Sequence, residues 1–403
     1  MTAGRESLRD EERLRSIREA LAAARLDAVL CSRPANVLLL TGYWPVVGSA
    51  IAIATRDGAV ALAAPEDEVA FANDGWADVV RFFGAGSIER LAGRWPAACD
   101  AVTAVARDAG VGGARVAGHD GGAGFEPAAY VSTFLYGDRV RDLATAAFPD
   151  ATVRDAAEVF ARLRARLTSR ELDQVRRACA IAGEAFGVAA ERAAPGMREV
   201  DLAGLLTGDL LARSEGTRRC SGEAFCMSGP NGARAASSFQ QSSGRVLETG
   251  DFVLLHANSC CGGFWTDVTR TFTIGPPDAR QQAIAAAIDG AGEAACEAVR
   301  PGVRASEVDR RARAVMERNG LGRGFVHGTG HGVGFVAIDH DARPRLHPRS
   351  EDVLEAGMVF NVEPGYYEPG RLGIRHCDMV AVTAAGAELL TDFQSTAAEL
   401  KIG

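Results

Sequence analysis

One layout of helices and strands occurs twice in this chain, and that duplication constrains the fold more than any other feature. The stretch AFGVAAERAAPGMREVDLAGLLTGDLLARSEG, from Ala185, resembles AGEAACEAVRPGVRASEVDRRARAVMERNG, from Ala291. Each reads as an alanine-rich helix, a Pro-Gly stop, an acidic restart with a valine, and a second helix ending in glycine. Pro195 and Pro301 mark the equivalent stops, because proline cannot continue a helix. The strands repeat as well. GDFVLLH from Gly250 parallels GMVFNVE from Gly357, so His256 and Glu363 fall at matching places. Each is followed by a turn and another strand with a second polar residue, Asp267 in WTDVTRTF and Cys377 in IRHCDMVAV. Two helix-helix-strand-strand units related by a pseudo-twofold axis bring these four residues to one central place. A lone polar residue in an apolar strand is usually a satisfied or edge residue. Four at matching positions of a repeat point to a site.

At 403 residues the chain is too long for one ordinary core. Ahead of the repeat, helix and strand patterns alternate. Arg13–Ala24 is an amphipathic helix, and DAVLCS, NVLLLTG, SAIAIATRDGAVALAAP and DVVRFFG read as β-type runs. The third is broken by the Arg-Asp-Gly turn of a hairpin. RWPAACDAVTAVARDAG is a helix, and ARVAGHD another strand. From about residue 155 the pattern changes to long helices, one of them capped by Thr168 or Ser169 with Glu171 in its first turn. The expectation is an α/β chain: an α/β domain over 1–155 and a duplicated α+β domain over 156–403.

A net charge of −8 disfavours a nucleic acid or an anionic membrane as the main partner. No run of eighteen apolar residues occurs, which argues against a membrane span. The N-terminus, MTAGRESLRDEERLRS, lacks the apolar core of a secretory signal. Nine scattered cysteines without a C-x-x-C read as reduced thiols. Together these place the chain in a cytoplasm.

Six of the seven histidines lie between 256 and 376. His327, His331 and His340 share VHGTGHGVGFVAIDH, where the glycines around His331 let the backbone approach a ligand or a neighbouring strand. The spacing fits no helical metal motif, so the segment is strand and loop. Glycine-flanked histidine near carboxylates suits a metal or an acid/base site. His347 reads as ordinary surface, and Arg270 in DVTRTF as structural.

The pieces GDFVLLHANS…WTDVTRTFTIG, HGTGHGVGF, GMVFNVEPGYY and GIRHCDMVAVT resemble the creatinase, prolidase and aminopeptidase P family, the M24 peptidases with the pita-bread fold. LDAVLCSRPANVLLLTGYWP resembles its N-terminal domain, so the likeness covers the whole chain. It implies a creatinase-like N-terminal domain, a duplicated pita-bread catalytic domain and usually a homodimer. In the metallopeptidase members an aspartate, a second aspartate, a histidine and two glutamates hold two metal ions. The second aspartate corresponds to Asp267, the histidine to His331 and the first glutamate to Glu363. The other two positions carry His256 and Cys377. A histidine that family members use on substrate is Phe239 here, and by the same resemblance a second corresponds to His340.

The departures matter chemically, because a two-metal cluster needs bridging carboxylates, and neither an imidazole nor a thiolate replaces one. The resemblance therefore implies a C–N bond hydrolase with a single divalent ion at His256, Asp267, His331, Glu363 and Cys377, zinc or iron rather than manganese. Glu363 or His256 takes the proton, His340 binds the oxyanion, and His327 is a further acid/base candidate. Arg375 is read as ordering the site, binding a substrate carboxylate or forming a structural ion pair, with Phe239 shaping the substrate side. One alternative is a metal-independent, creatinase-like hydrolase of a small amide or amidine, with Cys377 as nucleophile activated by His256 or His376. Another is a binding protein that kept the fold and lost the chemistry. The substrate is expected to be a small molecule or short peptide, and Phe239 predicts weak cleavage of Xaa-Pro peptides.

Overall fold

The computed structural model describes residues 9–46, 50–84, 86–91, 93–121, 139–216, 218–236, 242–393 and 401–402. They fall into two compact units, Met1–Arg164 and Ala165–Gly403.

The first unit opens with helix α1 (Glu11–Ala24). Its N-cap Asp10 accepts from the Arg13 amide, and Glu11 and Glu12 stand in the first turn, where negative charge suits the helix dipole. Leu14, Ile17 and Leu21 form its buried stripe. Among the described residues six strands make the larger sheet of this unit: β1 (Ala28–Cys31), β2 (Ile51–Thr55), β3 (Val60–Pro65), β4 (Val79–Phe83), β5 (Val116–His119) and β6 (Thr152–Asp155). They form one mixed sheet in the order β4-β3-β2-β1-β5-β6. The β2–β3 pair is the hairpin expected around Arg56, Asp57 and Gly58. NVLLLTG is not a strand. It lies in helix α2 (Pro34–Thr41), entered by Pro34 and ended at Gly42 with φ 68°. A short apolar run fits a buried helix as well as a strand, and the Pro and Gly brackets decide it. Helices α3 (Arg94–Asp108) and α4 (Arg139–Ala147) cover the sheet, placing Val102, Val105 and Leu143 against Ala28, Leu30, Ile51 and Ile53. Helix α5 (Ala157–Ala165) runs to the division between the units.

In the second unit the duplication is plain. Helices α6 (Ser169–Arg192) and α7 (Glu199–Ala212) lead through β7 (Cys220–Ser228) to β8 (Phe252–Cys261) and β9 (Phe264–Ile274). Helices α8 (Ala279–Ala298) and α9 (Ala305–Arg318) lead to β10 (Val359–Val362), a hairpin of β11 (Gly365–Glu368) and β12 (Leu372–Arg375), then β13 (Asp378–Thr383) and β14 (Gly386–Leu389). Capping boxes start α6, with Thr168 and Glu171, and α8, with Asp278 and Gln281. Gly196 and Gly302 follow the helix stops with φ 91° and 87°, and Gly250 and Gly357 precede the strands with φ 92° and 89°. These left-handed conformations explain why glycine stands at the same place in both copies.

Strand β8 lies between β7 and β9, and every residue of β8 and β9 is buried. Their polar side chains must therefore find partners within the protein. The β10–β13–β14 sheet packs Phe360, Val362 and Val380 on Ile288, Ala291, Val308, Ala312 and Met316 of α8 and α9. The two sheets meet where Thr269 and Cys377 exchange backbone hydrogen bonds of 3.4 and 3.0 Å. No helix among the described residues is long and apolar enough to cross a membrane.

Candidate active site

Side chains two apart on a strand share a face, and four such pairs meet at the junction of the two sheets. They are His256 and Asn258 on β8, Asp267 and Thr269 on β9, Asn361 and Glu363 at the end of β10, and Arg375 and Cys377 between β12 and β13. Register brings the first four together, with His256 opposite Thr269 and Asn258 opposite Asp267.

His331 enters from the glycine-rich loop. Its amide donates to Asn361 Oδ1 at 2.7 Å. The close approach requires glycine beside it, since a Cβ at Gly330 would lie 1.8 Å from the Asn361 carbonyl oxygen. Asp309 on α9 braces the segment by accepting from the Thr329 amide and hydroxyl at 3.0 and 2.8 Å. His331 Nδ1 sits 3.1 Å from the Gly332 carbonyl, which turns Nε2 toward the carboxylates, 3.5 Å from Asp267 Oδ2 and 3.9 Å from Glu363 Oε1. The Asn361 amide nitrogen is 3.3 Å from the same Nε2. It can donate there only to a bare nitrogen, and the full charge on Asp267 favours the protonated one.

Burial shapes the charges in this cluster, and its neighbours reverse burial in two cases. Burial alone would lower the His331 pKa, but Asp267 and Glu363 lift it to about 9. Burial alone would raise Asp267, yet His331, His256 and Arg375 hold it well below the usual carboxylate range. Glu363 goes the other way: burial lifts it to about 7 against the pull of Arg375 and His331. A buried carboxyl near neutrality beside a charged imidazole is suited to take and return a proton.

Arg375 is committed within the cluster. Its Nε donates to Thr269 Oγ1 at 3.1 Å, Nη2 lies 3.2 Å from His256 Nδ1, and Nη1 is 3.7 Å from Glu363 Oε2. His256 is 1% exposed, stands 2.9 Å from both Thr269 Oγ1 and Asn258 Oδ1, and is kept neutral by burial, which lowers its pKa to about 4. Cys377 Sγ is 3.2 Å from the Asp267 carbonyl oxygen and 3.6 Å from its Oδ1. Burial, with the nearby carboxylates, pushes this thiol far up.

The structure thus gathers His256, Asp267, His331, Glu363, Arg375 and Cys377. His340 stands at the exposed rim, its ring 5.6 Å from that of His331. His327 is set to one side, bonded by Nε2 to the Tyr367 hydroxyl at 2.9 Å and by Nδ1 to the Gly328 carbonyl at 2.8 Å. His376 pairs with Asp378 at 3.1 Å rather than with Cys377. Phe239 lies outside the described residues. Sequence reasoning missed Asn258, Thr269, Asn361 and Tyr367. The first three sit two positions from a residue it did select, so strand periodicity would have found them.

The donor set bears on whether a metal can bind. Among the described residues no group of three or more His, Cys, Asp and Glu side chains is disposed to hold one. The five-donor centre expected at His256, Asp267, His331, Glu363 and Cys377 does not form, because His256 and Cys377 spend their nitrogen and sulfur atoms on neighbouring protein groups. The residues present do not fit the ion pair of the metallopeptidases.

A duplicated α/β catalytic fold, an α/β unit before it and a buried carboxylate–imidazole centre define a class. The chain belongs to metallopeptidase family M24, whose model matches residues 173–384, while residues 13–166 match the creatinase/prolidase N-terminal domain. It is 37% identical over 235 residues to the probable dipeptidase PepE of Mycobacterium tuberculosis, covering 58% of this chain and 60% of that protein. It is 33% identical over 234 residues to the Xaa-Pro dipeptidase of Pyrococcus furiosus, covering 58% and 65%. These matches span less than two thirds of either relative. The crystal structure of the prolidase from Pyrococcus horikoshii superposes with TM-score 0.74 at 25% identity, over 95% of this chain and 99% of that one.

Proposed function

We propose that this chain is a hydrolase of C–N bonds in dipeptides or comparably small amides. The observation that carries the reading is Glu363, buried with one oxygen 3.9 Å from His331 Nε2 and the other 3.7 Å from Arg375. In this mechanism Glu363 takes a proton from the attacking water, and the oxygen of that water bonds to the substrate carbonyl carbon. His331 and Arg375 supply positive charge for the oxyanion. Glu363 then returns the proton to the departing nitrogen as the C–N bond breaks, giving an acid and an amine. Asp267 holds His331 in its orientation. His340 at the rim is placed to contact the distal part of a substrate. The names of the relatives, dipeptidase and Xaa-Pro dipeptidase, support a short peptide as the substrate class. The resemblance and the dispersed thiols support a cytoplasmic homodimer.

Amine release from a panel of Xaa-Pro dipeptides, other dipeptides, small amides and amidines tests the reading. Turnover that is lost in Glu363→Gln is expected. No turnover of any class, by a folded chain, would sink it and leave the binding-protein alternative.

A further inference from the structure

We propose that this centre does not hold the two metal ions of the family, and that His256 and Cys377, tied to Thr269, Arg375 and Asp267 within the chain, are the substitutions that account for it. The inference deepens the hydrolase reading and rests on it only for the claim that this cluster is the working centre.

Charge is the first argument. The ligand set of the metallopeptidase members carries four carboxylates, which balance two divalent ions. Here Asp267 and Glu363 are the only carboxylates at those positions, so half of that negative charge is gone. A guanidinium, which does not lose its proton in proteins, already sits 3.7 Å from Glu363 and is 5% exposed. A divalent ion beside it would meet too little negative charge and a fixed positive neighbour.

Lone pairs are the second. Asn258 Nδ2 faces the Thr266 carbonyl at 3.5 Å, so its Oδ1 faces His256 Nε2 at 2.9 Å as an acceptor. Nε2 therefore carries the ring proton, which leaves Nδ1 with the only lone pair. Arg375 Nη2 lies 3.2 Å from that nitrogen and can only donate. The one atom by which His256 could ligate a metal therefore faces two donors, the Arg375 nitrogen and the Thr269 hydroxyl at 2.9 Å. At Cys377 the sulfur accepts from Asn361 Nδ2 at 3.5 Å and faces two oxygens of Asp267, at 3.2 and 3.6 Å. Those are the surroundings of a thiol that donates, not of a thiolate that ligates.

The shape of the cluster is the third. Thr269 Oγ1 joins the imidazole and the guanidinium, at 2.9 Å from His256 Nδ1 and 3.1 Å from Arg375 Nε. The cluster is a connected network, as a buried polar group requires.

The test is metal content, which does not depend on turnover. Purified full-length protein is incubated with Zn²⁺, Mn²⁺ or Co²⁺, passed through gel filtration and measured by mass spectrometry of the metals. Well below one ion per chain is expected, with no thiolate-to-cobalt charge-transfer absorption. One or more ions retained per chain, or that absorption, overturns the proposal. The double variant H256D/C377E restores both carboxylates and is expected to retain more than one ion per chain, with a metal-dependent rise in Tm. If it folds to a wild-type circular dichroism spectrum yet holds no more metal than the wild type, the proposal also fails. Should it not fold, the wild-type measurement decides. Retained metal with dipeptide turnover refutes only this inference, and absent metal without turnover refutes only the hydrolase reading.

Discussion

Replacing Arg270 by methionine should loosen the seam between the two copies of the repeat. The side chain is fully buried. From β9 it donates to the carbonyls of Thr269 (3.0 Å), Cys377 (2.8 Å), Thr391 (3.0 Å) and Phe393 (3.1 Å), and to Asp378 Oδ1 at 2.7 Å. Methionine keeps much of the volume and none of the donors. Thr269 and Cys377 keep their mutual backbone bonds, whereas the other two carbonyls lose a donor and Asp378 loses its cation. Stranding a buried charge costs about 3–5 kcal/mol and an unmet buried carbonyl about 1 kcal/mol or more, so the loss is about 5 kcal/mol. Set against a total stability of about 5–15 kcal/mol, that is a large share. At about 2–4 °C per kcal/mol the Tm should fall by about 10–20 °C, read by circular dichroism on the full chain. The pH dependence supplies an internal control. Burial would raise the Asp378 pKa, but Arg270 and His376 hold it well below the usual range. A depressed carboxylate contributes stability above its unfolded pKa of about 4 and loses it as pH falls, so Arg270→Met should flatten the acid limb. Adding Asp378→Asn should recover part of the loss. A fall under about 4 °C, roughly one kcal/mol on this scale, or a double variant no better than the single, would refute the reasoning.

Glu363→Gln should lower kcat/KM about 10²–10⁴-fold. It should also remove a decline in stability as pH rises from about 4.5 to 7, because the buried carboxyl, lifted to about 7, resists ionisation; a Tm–pH curve matching the wild type would contradict this. His327 is lowered to about 4, mainly by burial. The unfolded chain therefore binds the extra proton first, and stability should fall as pH drops below about 6.5. His327→Gln should lessen that fall, and an unchanged acid limb by thermal scanning would count against it. Gly330→Ala has no room for its methyl beside the Asn361 carbonyl, so it should displace His331 and cut kcat far more than it lowers Tm; wild-type turnover would disprove the placement.

The duplication and its four polar positions were legible because each residue contradicts its surroundings. His256 and Asp267 interrupt runs that could have been wholly apolar, and the contradiction recurs after Gly357. The Arg-Asp-Gly hairpin and the Thr168 cap were legible from local chemistry. NVLLLTG was not, since its four consecutive apolar residues show no period when buried on every side. His327 was drawn into the site by proximity in sequence, and only packing shows it turned to Tyr367. The role of Arg375 was left open among alternatives for a different reason. A residue type tells what a side chain can donate or accept, whereas its use of that capacity depends on neighbours from other strands, here Thr269 and His256.

The same distinction explains why a metal-type donor set need not make a metal site. Histidine and cysteine are ligands only through a bare nitrogen and a thiolate, and each has a protonated form that donates instead. At position 256 the Asn258 oxygen selects the tautomer, and Thr269 and Arg375 face the remaining lone pair. At position 377 the Asp267 oxygens favour the thiol. Neither substitution accomplishes this alone. An aspartate at 256 would carry charge and spare lone pairs to a cation even with Cys377 in place. A glutamate at 377 would add a carboxylate beside Asp267 and call for a further cation. Together they leave two carboxylates facing one imidazole and one guanidinium, a cluster whose buried charges are paired within the chain.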